Sequence, residues 1–297
     1  MRVAIYLATV RDRKQYPLEA FAEGVRACGD DPVVSTGTGH IDADAGVIFG
    51  WPDKETPVRA LPLEWHRRCI VIDGGILPPK GADEGQSDLY WWWKPYGMFR
   101  IGWRTPIDTY DYAIDFNTGP CRWDKLGYEL KPWGKSTTLK YALVCSLSAP
   151  DQEYLGMTAR DWAWGMVKAL RQMGMPNARI AYRPHPEHAA EAPVPDGVID
   201  ARAGQFADWL QDASVVISPF GTHLVEAVIA GVPVYATHEL SICRSVSYAS
   251  LEEVLNKPHY PQPNRTTWAW SLAYAQWTID EMKAGLPWRR LRTRFLA

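Results

Sequence analysis

The chain has 297 residues, a formal net charge of −2, 46% hydrophobic and 22% charged residues, and an unusual load of 15 Trp and 14 Tyr. That balance is globular rather than disordered and leaves room for two domains, while the near-neutral charge excludes a uniformly basic nucleic-acid binder but not a local basic stripe. No apolar run approaches the roughly 20 residues of a membrane span.

The elements follow in chain order. Residues 2 to 8 read as a first buried strand rather than a signal segment, because Asp12, Arg13 and Lys14 follow without a cleavage pattern. An amphipathic helix from about Pro17 to Cys28 closes at Gly29, and strands are expected at Pro32–Ser35, Ala45–Gly50 and Cys69–Ile72, with helix near the end of Thr56–Arg68. Strands alternating with helices predict a βαβ domain with a parallel sheet. Ligands of such sheets sit beyond the C-terminal strand ends, which places Arg11, Asp12, Arg13, Gly50-Trp51 and Asp73-Gly74-Gly75 on one rim.

Residues 78–135 are less regular and dense in aromatics (Trp91, Trp92, Trp93, Tyr96, Phe99, Trp103), and are expected to form an insertion or lid beside that sheet. Gly134-Lys135-Ser136-Thr137 looks like the end of a P-loop, but the first glycine would fall on Glu129, so the motif is rejected.

A second βαβ set begins near Thr138. Strands are expected at Leu139–Leu147, Ala178–Tyr182, Gly197–Asp200, Ser214–Ser218 and Val232–Ala236. Helices are expected at Thr158–Met173, Gln205–Gln211 and Leu224–Ala230. The chain ends in a Trp-rich helical pattern from Arg265 to Gly285 and a basic tail with Arg289, Arg290, Arg292 and Arg294. The domains are thus 1–135, 136–264 and a closing segment, 265–297. Five scattered cysteines (Cys28, Cys69, Cys121, Cys145, Cys243) without a C-x-x-C pair point to reduced thiols in a cytoplasmic protein and away from zinc.

Chemistry concentrates in the second set. Ser218-Pro219-Phe220-Gly221-Thr222-His223 joins a β-branched strand to a helix, and free N–H groups at a helix start favour an anion. Arg183 and His185, stiffened by two prolines at a strand end, supply donors suited to phosphate. Glu226, in the first turns of the helix, is placed to accept ribose hydroxyls. Each has a plainer alternative: a ligand-free turn, a rigid surface loop, a solvated helix residue. Asp73 is the leading general base and Asp12 its rival, although an Asp before Gly-Gly is also a common turn. Arg11, Arg13, Trp51 and Trp92 are the acceptor-side candidates.

Arg183-Pro184-His185-Pro186, Ser218 to His223 and Glu226 to Pro233 together resemble the GT-B class of glycosyltransferases, and Arg-Pro-His-Pro is similar to the His-Pro motif of bacterial sialyl- and capsule-type transferases. The closing Arg265–Gly285 pattern is similar to phage-encoded members. The resemblance implies an α/β fold of two Rossmann-like domains facing across a cleft, with C-terminal helices returning to the first domain. It implies a nucleotide-sugar donor held by Arg183, His185, Ser218, Phe220, Gly221, Thr222, His223 and Glu226, with no metal and no further cofactor. It also implies a base in the first domain, although Ile72-Asp73-Gly74-Gly75 lacks the acid that precedes Asp-Gly in those enzymes. The phage-like character, the aromatics and the basic end point to a hydroxymethylated DNA base as acceptor, with a capsule-type saccharide next. A nucleotide-sugar epimerase and a non-catalytic nucleotide-binding module are the other classes compatible with these residues.

Overall fold

The computed structural model describes residues 1–7, 15–37, 39–50, 69–81, 97–103, 119–134, 140–190, 192–239, 241–256 and 265–293. The chain divides into two units, Met1–Tyr128 with Ala269–Ala297, and Glu129–Trp268. The strands of the first unit begin with β1 (Arg2–Tyr6), β2 (Asp31–Ser35), β3 (Ala45–Phe49), β4 (Cys69–Gly74) and β5 (Met98–Trp103). The second unit contributes β6 (Tyr141–Cys145), β7 (Ile180–Arg183), β8 (Ile199–Asp200), β9 (Ala213–Ser218) and β10 (Val234–Ala236), and β11 (Gln276–Thr278) belongs again to the first.

The first sheet runs β11-β5-β4-β3-β1-β2. Strands β1 to β4 pair in parallel; the apolar runs of β1, β3 and β4 are buried, as strands covered on both faces require, whereas the edge strand β2 is partly exposed. The other two strands correct the sequence reading. Met98–Trp103 is not part of a lid but a strand antiparallel to β4, and β11 pairs antiparallel with β5. The Trp-rich segment is therefore not one helical stretch. It comprises a helix at Arg265–Tyr274, then β11, then a helix at Ile279–Lys283. The basic tail is also corrected, because Leu286–Arg292 is a helix whose Trp288 and Leu291 enter the core beside Phe21, Val25 and Met282.

Asp30 ties this end down. It accepts from the N-terminal ammonium at 2.6 Å, from Trp288 Nε1 at 2.7 Å and from Arg292 at 3.1 Å. Its burial opposes ionisation, but these donors outweigh that and hold its pKa below the usual carboxylate range. Glycines let the helices meet: a Cβ on Gly24 would stand 1.9 Å from the Met282 carbonyl oxygen, a backbone atom with no rotamer to yield. Gly24→Ala is expected to lower stability by roughly 1–3 kcal/mol through overpacking, measured as a shift of the urea midpoint at unchanged m-value.

The second sheet is parallel throughout, in the order β10-β9-β6-β7-β8. Its core joins Val144, Ile180, Val215 and Ile217 to Trp162, Val167 and Leu170 on the helix Ala159–Gln172. Thr158 caps that helix by accepting from Asp161 N, and the preceding helix Ala149–Leu155 opens on a full capping box between Ser148 and Asp151. β6 lies at the centre, with β7 and β8 added on one side and β9 and β10 on the other. That reversal of direction is the topological switch point, where the loops leaving neighbouring strands part and open a crevice.

Candidate functional site

The turn after β9 forms one wall of that crevice. Gly221 has φ +113°, a conformation L side chains rarely adopt, and a Cβ there would stand 2.3 Å from Cε1 and 2.6 Å from Nδ1 of His223. The imidazole thus lies directly over the glycine. The helix Thr222–Ile229 begins here without a side-chain cap, so its first amides are available to a ligand. His223 Nε2 is buried and has no hydrogen-bond partner among the described residues. Desolvation, with smaller contributions from His185 and Arg183, pushes the pKa of His223 down to about 3. The ring is therefore neutral at pH 7 and carries one N–H.

Arg183, the last residue of β7, donates to the carbonyls of Ala201 at 2.6 Å and Gly204 at 3.1 Å. Its guanidinium carbon lies 5.8 Å from the centre of the Phe206 ring, and Phe206 meets His223 edge-on at 6.1 Å. Phe206, which packs between the two donors, is not singled out by the sequence; its one signal is that it opens the helix leading into β9. His185 Nδ1 accepts weakly from Glu187 N at 3.4 Å, which leaves the proton of the neutral ring on Nε2. Burial lowers the pKa of His185, against the raising effect of Glu187 and Asp151.

Glu226 is exposed by surface area, yet desolvation raises its pKa to about 7, and Arg183 opposes that rise. The loop after β7 also borders a cavity of about 320 Å³ lined by Ser146, Gln152, Arg160, Tyr182, His185 and His188.

The structure therefore brings together Arg183, His185, His223 and Glu226. It places other candidates differently. Ser218 is buried at the end of β9. Phe220 is buried too, its ring 4.7 Å from His238 and 5.9 Å from Tyr154, so that it anchors the turn from behind. Thr222 is exposed at the helix start. Asp73 belongs to the first unit, at the C-terminal end of β4. Half-buried there, it pairs with Arg100 and accepts from Gly74 N at 2.8 Å. Arg11, Asp12, Arg13, Trp51 and Trp92 lie outside the described residues. Among the described residues no group of three or more His, Cys, Asp and Glu side chains is placed to hold a metal ion, and no helix is long and apolar enough to cross a membrane.

The two perturbed groups give stability opposite pH slopes. His223 favours its neutral form in the fold, so its contribution is complete above the unfolded pKa of about 6.5 and is lost as pH falls toward about 3. Glu226 favours its protonated form, so its contribution is present below the unfolded pKa of about 4.3 and is lost as pH rises through about 7. Glu226→Gln is expected to raise the melting temperature relative to wild type at pH 8 and to change it little at pH 4. An equal shift at both pH values would refute the assignment.

No described protein family matches the sequence, and no curated protein does. Among solved structures, the chain is similar to Thermosulfurimonas dismutans KpsC, beta Kdo 2,7 transferase, with a TM-score of 0.52 at 14% identity, covering 98% of this chain and 100% of that one. A second match is Thermosulfurimonas dismutans KpsC, beta Kdo 2,4 transferase, with a TM-score of 0.47 at 16% identity over 92% of this chain and 90% of that one. At this identity the first likeness is one of fold.

Proposed function

We propose that this chain is a metal-independent glycosyltransferase of the GT-B type that moves a sugar from a nucleotide-sugar donor to a hydroxyl of a saccharide. The observation that carries the reading is the convergence of Arg183, His185, His223 and an uncapped helix start at the switch point of a parallel sheet. Such a set suits phosphate: Arg183 supplies fixed charge, the helix amides and the imidazoles supply donors, and together they stabilise the departing phosphate in the role a divalent ion would otherwise fill. Glu226 accepts the ribose hydroxyls when ionised.

In the first unit Asp73 is the base that takes the proton of the acceptor hydroxyl. Arg100 pairs with it. A carboxylate has about four acceptor positions, and Gly74 N–H and Arg100 occupy two of them among the described residues, leaving room for a hydroxyl.

A saccharide acceptor is favoured over a hydroxymethylated DNA base because the three described arginines of the basic end are already engaged, Arg294 lying outside the described residues. Arg292 pairs with Asp30, Arg289 donates to the Ala284 carbonyl, and Arg290 lies over the Tyr274 ring. The likeness in fold to a structure named as a Kdo transferase supports the same choice.

The test is mass spectrometry after incubating the protein with nucleoside mono- and diphosphate sugars, acidic sugars included, and either oligosaccharides or hydroxymethylated DNA. Transfer to the oligosaccharide is expected. An isomerised donor without any acceptor would identify an epimerase, and tight donor binding with neither hydrolysis nor transfer would leave a binding module.

A further inference from the structure

We propose that Gln276 is a positioning residue, which holds the turn after Asp73 and through it the direction of the Asp73 carboxylate. The inference rests on the reading of Asp73 as the base. Asp73 on β4 is in register with Arg100 on β5, and Arg100 with Gln276 on β11, so the three residues form one row across adjacent strands and share a face of the sheet. The chain leaves β4 through Gly74-Gly75, and Gly75 N donates to the Met98 carbonyl at 2.9 Å. This bend carries Ile76 and Leu77 to Gln276, whose Oε1 accepts from Ile76 N at 2.5 Å and from Leu77 N at 2.9 Å.

Two backbone donors converging on one atom fix the amide's orientation, because a flipped amide would set N–H groups against N–H groups. Among the described residues Nε2 is then left buried without a hydrogen-bond partner, on a side chain with 0% exposure. A buried donor left unsatisfied costs stability, and a residue serving packing alone would carry no such cost. The oxygen is what this position uses.

The strand beneath it is held in turn. Arg122 donates to the Gln276 carbonyl at 2.6 Å and to the Ala273 carbonyl at 3.1 Å, and forms a two-pronged pair with Glu281 at 2.5 and 2.9 Å. Its guanidinium carbon sits 4.5 Å from the centre of the Trp277 ring. A locked side chain on a locked strand is the kind of support that keeps a reacting carboxylate in line.

The experiment compares Gln276→Met, which keeps volume and removes the acceptor, with Gln276→Glu, whose fully buried carboxyl, held protonated by desolvation, keeps both the volume and a carbonyl acceptor for Ile76 N and Leu77 N. Amide exchange at Ile76 and Leu77, donor affinity and the transfer kcat are read on the same preparations. Gln276→Met should speed exchange at both amides and lower kcat by about ten- to a hundredfold, the scale of a misplaced reacting group. Donor Kd should stay unchanged, and Gln276→Glu should restore both exchange protection and kcat. Faster exchange with wild-type kcat overturns the proposal, as does a loss of donor affinity that matches the loss of kcat. Should Gln276→Met fail to fold, a Gln276→Glu protein with slow exchange at Ile76 and Leu77 but a kcat lowered tenfold or more also overturns it. Asp73→Asn is the control on the underlying reading: full transfer activity in that variant removes the base assignment itself, whereas an inactive Asp73→Asn beside a fully active Gln276→Met removes only the positioning role.

Discussion

Gly221→Ala is expected to lower donor affinity and transfer by roughly a hundredfold or more, the scale seen when an anion-binding donor is displaced. Two causes act at one atom. The backbone at φ +113° is strained for any L side chain, and the new Cβ would overlap the His223 ring at 2.3 Å. The imidazole must swing out or the turn must move, and either shift separates His223 from the helix start that it flanks. The strain should also cost stability, by roughly 1–3 kcal/mol. Calorimetric titration with nucleoside phosphates reads the binding loss, and a double-mutant cycle with His223→Ala identifies its source. If collision with the ring is the cause, Gly221→Ala on the His223→Ala background costs much less than on wild type, an interaction of the size found between touching residues. Equal costs on both backgrounds would locate the damage in backbone strain alone. Wild-type affinity in Gly221→Ala would remove the turn from the donor site.

The legibility of this site follows from how local its determinants are. Ala213–Ser218 and Thr222–Ile229 lie within about two residues of their expected bounds, because a β-branched run, a Pro-Phe-Gly turn and an apolar helix are all encoded by near neighbours. The return of the chain to the first sheet is encoded elsewhere. Gln276–Thr278 becomes a strand because Trp277 finds Phe99 opposite it on β5, a partner far away in sequence, and that pairing outweighs the helical pattern around it. One local signal does mark the break. Thr278 and Glu281 form a capping box, so a helix had to start there rather than run through. The arginines at the end mislead in a similar way: charge suggests a solvated tail, but Trp288 and Leu291 share one helical face and bury it. The electrostatics of the site are the least legible part. A His at about pKa 3 and a Glu at about 7 reflect how much protein surrounds each group, and neither residue carries that information by itself.

At Asp73 the largest effect on turnover is expected. Asp73→Asn should lower the transfer rate by about 10²- to 10⁴-fold, the range assigned to a positioned general base. Donor affinity should be unaffected, because Arg183, His185 and His223 belong to the rim of the other sheet. Asparagine keeps one oxygen for Gly74 N–H, so the turn keeps that hydrogen bond, but its NH2 group then faces Arg100, and the half-buried guanidinium loses both its acceptor and its counter-charge. A stability loss of roughly 1–3 kcal/mol is expected on that account. Two roles therefore need separating, since a carboxylate that only neutralises Arg100 would also be missed. Replacing both partners decides between them. If Asp73 is no more than the ion-pair partner of Arg100, Asp73→Asn with Arg100→Met recovers both stability and transfer. If Asp73 takes the acceptor proton, the double variant recovers stability and stays inactive, while slow hydrolysis of the donor, which needs no acceptor hydroxyl, persists. A carboxylate held by one arginine and one backbone amide still has positions left for a hydroxyl, and that spare capacity is what the comparison measures.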